Sequence, residues 1–403
     1  MTAREEFEAR LAGTLSELRR AGLLREMRPP RGIDLVSNDY LGLAGHPHLT
    51  GCMRDALEQL PAGSGGSRLL RGHLEAFEQL ESRLAEFSGT GAALLFGSGY
   101  AANIGLLQAI VSPDDLIVSD RLNHASLIDA VRLTKARALI YPHQDLDALE
   151  SALQTFRQTH GRGRAIVLTE SVFSMDGDLT PLDKITAIAE RNGGVVVVDE
   201  AHATGLWGAR GSGRVEALGL RDRVLATMHT GGKSLGSGGA WVAGSRTLCD
   251  VLVNRARSFM FSTAPMPVLA AALGAGLDLI AREPERRIEV HRKSARLRRL
   301  LSEADVVVGA QAVGALAVGA QRAPASAESP ILPIVVGSNE SALALQSGLF
   351  AAGFDVRAIR PPTVPPGTAR LRVTVRYPVS DEDLSRFAAA VSSLLAPAVP
   401  ARQ

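Results

Sequence analysis

The chain has 403 residues, 46% of them hydrophobic, and its 44 lysines and arginines against 42 acids leave a formal charge of +2. That length exceeds one ordinary domain, and the composition is that of a core-forming chain rather than a disordered one. Nearly balanced charge, 4% aromatics and two distant cysteines, Cys52 and Cys249, argue against a nucleic-acid surface, a disulfide framework and a cysteine-rich metal site.

From the N-terminus, Met1-Thr-Ala-Arg-Glu-Glu-Phe-Glu8 is charged and lacks the apolar core of a signal peptide, so a cytoplasmic protein is expected. Residues 1–30 read as an amphipathic helix with Phe7, Leu11, Leu15 and Leu18 on one face, ended by Pro29-Pro30. Short apolar runs then alternate with helical stretches: Ala92–Phe96, Leu116–Val118, Ala138–Tyr141, Ala165–Leu168, Val195–Val198, Val224–Ala226 and Gly239–Ala243. Continuous apolar strands separated by helices predict an α/β fold, its largely parallel sheet covered on both faces. The most apolar helical stretch, Val268–Ile280, contains Asp278 and is too short to span a bilayer, so no membrane partner is expected. A basic helix near 283–303 leads to strands at 331–336, 355–359 and 370–375. A last helix is capped by Ser380, with Asp383 three residues on. The expected division is an N-terminal helix and arm (1–55), a large α/β domain (56–285) and a smaller α+β domain (286–403).

In parallel sheets ligands bind beyond the carboxyl ends of the strands, and four such ends carry unusual polar groups. Phe96-Gly-Ser-Gly-Tyr-Ala-Ala-Asn103 is a glycine turn opening a helix, which suits phosphate but taken alone reads first as an ordinary turn. Thr169-Glu-Ser-Val-Phe-Ser-Met-Asp-Gly-Asp178 puts Ser174 and Asp176 on a loop, where a Ser or Asx turn is the plain alternative. Val195-Val-Val-Val-Asp-Glu-Ala-His202 ends a central strand in Asp199, an acid that needs a partner such as a protonated ring nitrogen, with His202 beside it. Its likeness to a helicase Asp-Glu-Ala-His box fails for want of an upstream phosphate loop. His124 follows the 116–118 strand and offers a flat ring. His46, His48, His143, His160 and His291 read as solvated.

The fourth strand end holds Lys233, one of four lysines. Lys135, Lys184 and Lys293 sit in charged helical contexts and read as solvated, whereas Lys233 lies in Thr230-Gly-Gly-Lys-Ser-Leu-Gly-Ser-Gly-Gly239 after an apolar strand. Glycines allow close approach, and a lysine, unlike arginine, can lose its proton and form a Schiff base. A phosphate cradle, an acid for a ring nitrogen, a neighbouring histidine and a strand-end lysine together match the needs of pyridoxal phosphate.

At this point a family resemblance becomes visible. Ser37-Asn-Asp-Tyr-Leu-Gly-Leu43, Gly63-Ser-Gly-Gly-Ser-Arg68, the Gly97–Asn103 turn, Asn123-His-Ala-Ser126, Ser174-Met-Asp-Gly-Asp178, Asp199-Glu-Ala-His202 and Thr230-Gly-Gly-Lys233 occur in order. So arranged, they resemble the α-oxoamine synthases, fold-type-I pyridoxal phosphate enzymes that join an amino acid to an acyl thioester with loss of carbon dioxide. The resemblance implies an aspartate aminotransferase-like large domain with a mostly parallel seven-stranded sheet, and a homodimer with its active site at the interface. It implies Lys233 as the Schiff-base lysine, Asp199 on the pyridine nitrogen, His202 and Ser174 on the phenolic oxygen, and His124 stacked on the ring. The Gly99 and Tyr100 backbone with Thr230 would hold the phosphate, joined by Ser262 or Thr263 from a neighbouring subunit. Arg372 would take the amino-acid carboxylate, and Asn38, Thr363 and Arg25 would contact substrate.

The stretch Ile359-Arg-Pro-Pro-Thr363 and its continuation to Thr374 resembles the branch that uses L-alanine and a pimeloyl thioester carried by coenzyme A or an acyl carrier protein. The alternatives are a sister enzyme using glycine or another acyl chain, and a non-catalytic regulator on the same fold. Phe77 departs from a histidine common in the family, near the expected acyl channel.

Overall fold

A computed structural model describes residues 1–159, 163–306, 308–309 and 329–396; His160 lies outside them. The backbone divides into two units, one of Asn38–Ser174 with Asp178–Val290, the other of Met1–Ser37, Met175–Gly177 and His291–Gln403. The division does not run in chain order. Residues 1–37, expected in an arm of their own, go with the C-terminal segment because β1 (Ile33–Asp34) pairs in parallel with β10 (Phe354–Asp355).

The larger unit is built on a seven-stranded sheet of β2 (Ala92–Phe96), β3 (Leu116–Asp120), β4 (Arg137–Tyr141), β5 (Ala165–Glu170), β6 (Val195–Asp199), β7 (Ala226–Thr230) and β8 (Ala240–Gly244). Their order is β2-β8-β7-β6-β5-β3-β4, with β8 antiparallel to both neighbours and the other six strands running the same way. Alternate side chains feed two cores, as the two-residue period of a strand requires. Ile117, Ile166 and Val197 pack on one face with the helix Gly99–Ile110, while Leu116, Val118, Val196 and Val198 pack on the other with the helices Leu146–Thr159 and Leu182–Arg191. The carboxyl ends of β2, β3, β5, β6 and β7 therefore share one edge.

In the smaller unit, β12 (Ala369–Thr374) lies between β9 (Ile331–Gly337) and the short β11 (Ala358–Ile359), antiparallel to both. The helices Asn339–Ala351 and Asp381–Leu395 belong to this unit; the second is capped by Ser380, whose Oγ accepts from the Asp383 amide at 3.0 Å.

Three expected elements are corrected. The first helix is Ala3–Arg20 and stops well before Pro29-Pro30, because Gly22 turns the chain at φ 62°. The strand before Lys233 starts at Ala226 rather than Val224, since its register partners on β8 are Gly244 through Ala240. The expected 355–359 strand is two short pieces, β10 and β11, paired to different partners.

Candidate active site

Lys233 sits three residues beyond the end of β7, on a loop fixed by glycines. Gly236, at φ 63°, lies against the backbone of Leu43 and Ala44 so closely that a Cβ would collide with it. Through that contact the Ser37–Leu43 turn and the lysine loop hold one another. Lys233 Nζ lies 2.7 Å from His202 Nε2, and His202 Nδ1 lies 2.7 Å from the hydroxyl of the fully buried Tyr40.

Asp199 ends β6 with both oxygens used: Oδ1 accepts from the Ala201 amide and Oδ2 from Asn103 Nδ2, each at 2.9 Å. Asn103 also donates to Ser126 Oγ at 2.9 Å, while its own carbonyl oxygen is buried without a hydrogen-bond partner. Ser126 Oγ in turn lies 2.8 Å from His124 Nδ1. Loss of surrounding water holds the His124 pKa below its ordinary value; Asp199 opposes this and Lys233 adds to it.

Beside Asp199, its register partner Glu170 ends β5 and accepts from the His124 amide at 2.6 Å. Burial pushes the Glu170 carboxyl well above the carboxylate range, Asp199 raises it further, and Lys233 pulls it back.

The first edge of the site is an anion cradle. Ser98 caps the helix Gly99–Ile110, its Oγ taking the Ala101 amide at 3.2 Å, which leaves the Gly99 and Tyr100 amides pointing out of the helix start. Thr230 lies against Gly99; its hydroxyl donates to the Gly239 carbonyl at 3.1 Å and accepts from the Gly232 amide at 3.2 Å. Ser174 is buried on the loop after β5. An amine, an acid, two imidazoles and an anion cradle thus meet on one edge of the sheet. Asn38 belongs to this unit also, its Oδ1 lying 3.3 Å from the Tyr40 hydroxyl. Ser262 and Thr263 are exposed on the loop after the short helix Arg257–Met260.

Within the smaller unit, Arg25 Nη2 and Thr363 Oγ1 approach to 3.4 Å, and Arg360 donates to the carbonyls of Gly22 and Leu24. Arg372 is buried on β12 and donates to Thr374 Oγ1 at 3.2 Å. Asp176, left open between a turn and a functional role, forms a buried ion pair with Arg370.

Other side chains differ from their sequence reading. His143 is not solvated: it is buried between Asp120 at 2.9 Å and Asp178 at 2.8 Å. Burial alone would lower its pKa, but the two carboxylates outweigh it and raise the pKa to about 9. Lys293 donates to the Tyr377 carbonyl at 2.6 Å rather than standing in water. Phe77 is fully buried under the Arg68 guanidinium, 4.9 Å from the ring centre, and so belongs to the core of its unit. Glu170, Asn103 and Tyr40 carried no assigned role in the sequence. Their one signal was proximity to motif residues, as in Asn103, one helical turn from Gly99 and so on the same face.

With this geometry in place, comparison with known proteins identifies the family. The model for the aminotransferase class I and II family matches residues 30–391. The chain belongs to that family. It is 42% identical to 8-amino-7-oxononanoate synthase of Geobacter sulfurreducens, over 95% of this chain and 97% of that protein. It is 44% identical to the protein of the same name from Anaeromyxobacter dehalogenans, over 92% of this chain and 88% of the other. Among solved structures, serine palmitoyltransferase of Sphingomonas wittichii superimposes with a TM-score of 0.85 at 26% identity, covering 98% of each chain. The 8-amino-7-oxononanoate synthase of Francisella tularensis gives 0.73 at 25% identity, covering 90% of this chain and 97% of that one.

Proposed function

We propose that this chain is an 8-amino-7-oxononanoate synthase, a pyridoxal phosphate-dependent acyltransferase of biotin synthesis. It joins L-alanine to a pimeloyl thioester and releases carbon dioxide and the free thiol. The observation that carries the reading is 42% identity to a protein of that name over 95% of the chain. A serine-using sister enzyme is favoured by one observation, the higher TM-score of 0.85 against 0.73. That number compares backbones, whereas substrate choice resides in side chains, where identity to the serine enzyme is only 26%.

The side chains fit the cofactor. Two outward amides at a helix start suit its phosphate, and the buried Asp199 supplies the counter-charge for a protonated ring nitrogen. When bound, pyridoxal phosphate supplies an electron sink for the carbanion at the α-carbon of the amino acid. The protein's tasks follow. Gly99, Tyr100 and Thr230 hold the phosphate. Thr230 has one hydroxyl proton, now given to Gly239, and would have to give up that acceptor to donate to a phosphate. His124 would cover the ring, and His202 and Ser174 would serve its phenolic oxygen. Lys233 is the attachment point and then the base that takes the α-proton of L-alanine on Nζ. Arg372 receives the amino-acid carboxylate as a two-pronged donor, and Asn38, Thr363 and Arg25 contact substrate.

The working form we propose is a cytoplasmic homodimer in which Ser262 or Thr263 reaches the neighbouring subunit's phosphate. No helix among the described residues is long and apolar enough to cross a membrane.

The test is thiol release with L-alanine, glycine or L-serine, each offered with pimeloyl-coenzyme A, pimeloyl-acyl carrier protein and palmitoyl-coenzyme A. Turnover confined to L-alanine with a pimeloyl carrier supports the assignment. Preference for serine or glycine overturns it.

A further inference from the structure

Tyr40 is a fully buried side chain joined to the lysine–histidine pair, and nothing so far defines its role. It is 0% exposed, so its hydroxyl has left water and needs a partner. His202 Nδ1 lies within reach at 2.7 Å and Asn38 Oδ1 at 3.3 Å. The phenol has a single proton to give. A contact of 2.7 Å is at the optimum for a hydroxyl donor and 3.3 Å is beyond its usual range, which favours the imidazole over the Asn38 oxygen as the acceptor.

A neutral imidazole that accepts on one nitrogen carries its proton on the other. We propose that Tyr40 is a positioning residue that donates to Nδ1 of His202 and so keeps the imidazole proton on Nε2, the nitrogen facing Lys233. From Nε2 the N–H reaches the Lys233 Nζ lone pair at 2.7 Å. That bond exists only for the uncharged amine, the form that attacks a carbonyl. The same N–H is the donor that a phenolic oxygen needs once the amine has been used. A histidine with the reverse tautomer would present a lone pair there, which accepts from a lysine ammonium but offers no proton to an uncharged amine or a phenolate oxygen.

The local fold keeps Tyr40 in this role. Asp39 takes the Leu43 and Ala44 amides at 2.8 and 3.3 Å, pinning the turn, and Gly236 seats the lysine loop on the same residues. The Tyr40 ring stands edge-on to His202, at 67° with centres 6.2 Å apart.

The inference rests on the reading of Lys233 as the cofactor-bearing amine, and its test separates the two. The full-length protein, with its nine histidines labelled with nitrogen-15, is measured by nuclear magnetic resonance without cofactor; His202 is assigned by its loss in His202→Asn. The expected wild-type result is a neutral ring protonated on Nε2, with Nδ1 a hydrogen-bonded acceptor. In Tyr40→Phe the two tautomers mix. With cofactor added, the visible imine band of the variant shifts and kcat falls about tenfold, the worth of one lost hydrogen bond, while KM for L-alanine stays within about twofold. A wild-type ring protonated on Nδ1 overturns the proposal, and that measurement stands even where Tyr40→Phe does not fold. An unchanged tautomer in the variant overturns it as well. Absence of the imine band from wild-type enzyme would instead refute the role of Lys233.

Discussion

Asp199→Asn separates what this carboxylate does for the fold from what it does for chemistry. In the native site its oxygens accept from the Ala201 amide and from Asn103 Nδ2. The substituted amide keeps an oxygen for Ala201 but turns its NH2 toward another NH2 group. Asn103 can relieve that clash by a half-turn of its carboxamide, because its own carbonyl oxygen is buried without a hydrogen-bond partner. Ser126, bonded to that carboxamide through Oγ, can donate in place of accepting. The net structural cost is about one hydrogen bond, roughly 1 kcal/mol, and a melting shift of about 2–4 °C. The chemical cost is larger, since a hydrogen bond to a charged group is worth about 1.5–3 kcal/mol. Removing the negative partner of the ring nitrogen should therefore lower kcat by about ten- to a hundredfold. Thiol release from the pimeloyl thioester, measured at saturating cofactor beside a thermal melt, reads both quantities. Activity within about threefold of wild type would refute the role of Asp199, and a melting loss far above the stated range would refute the Asn103 rearrangement.

Other perturbations test the remaining parts of the site. Lys233→Ala should lose the visible imine band and essentially all turnover while keeping its fold; a band that persists without added amine contradicts the assignment of Lys233. His143 has a pKa raised from 6.5 to about 9, so its stabilising charge is fully present below about pH 6.5 and is lost as pH rises through about 9. At 1.36 kcal/mol per unit this is worth at most about 3 kcal/mol, so urea unfolding should show wild type weakening across that window and His143→Gln staying flat; parallel curves would dismiss the charged state. Gly236→Ala forces a Cβ into the Leu43–Ala44 backbone at a left-handed φ of 63° and should cost about 2 kcal/mol or more. A variant as stable as wild type would show that the two loops do not hold each other.

The sheet was legible because its strands are continuous apolar runs, the pattern of strands buried on both faces, and the five strand ends at the site follow from their shared direction. Lys233, Asp199 and His202 stood out for a related reason: each is a polar group at, or three residues past, the end of a buried strand. What stayed hidden depends on partners distant in the chain. His143 looked solvated because Asp120 and Asp178 flank it only after β3 and the loop after β5 are brought together. Tyr40 and His202 are separated by 162 positions, so no local pattern links them. The N-terminal segment joins the C-terminal unit through two residues of strand pairing, Ile33 and Asp34, too short a stretch for periodicity to register, and through side-chain bonds such as those from Arg360 to the Gly22 and Leu24 carbonyls.

Glu170 shows why the site's charge could not be read from its acids alone. In sequence it and Asp199 are equivalent, each the last residue of a buried strand, and register pairs them side by side on β5 and β6. Two buried carboxylates so close cannot both ionise cheaply. The neighbours decide between them. Asp199 has a donor at each oxygen, from Ala201 and Asn103, whereas the bond from the His124 amide satisfies Glu170 at one oxygen. Burial therefore pushes the Glu170 carboxyl to hold its proton, with the Asp199 charge acting in the same direction. The consequence reaches the ring face: Glu170 anchors the backbone of His124, while burial and the neighbouring Asp199 both act against a second charge at that strand end.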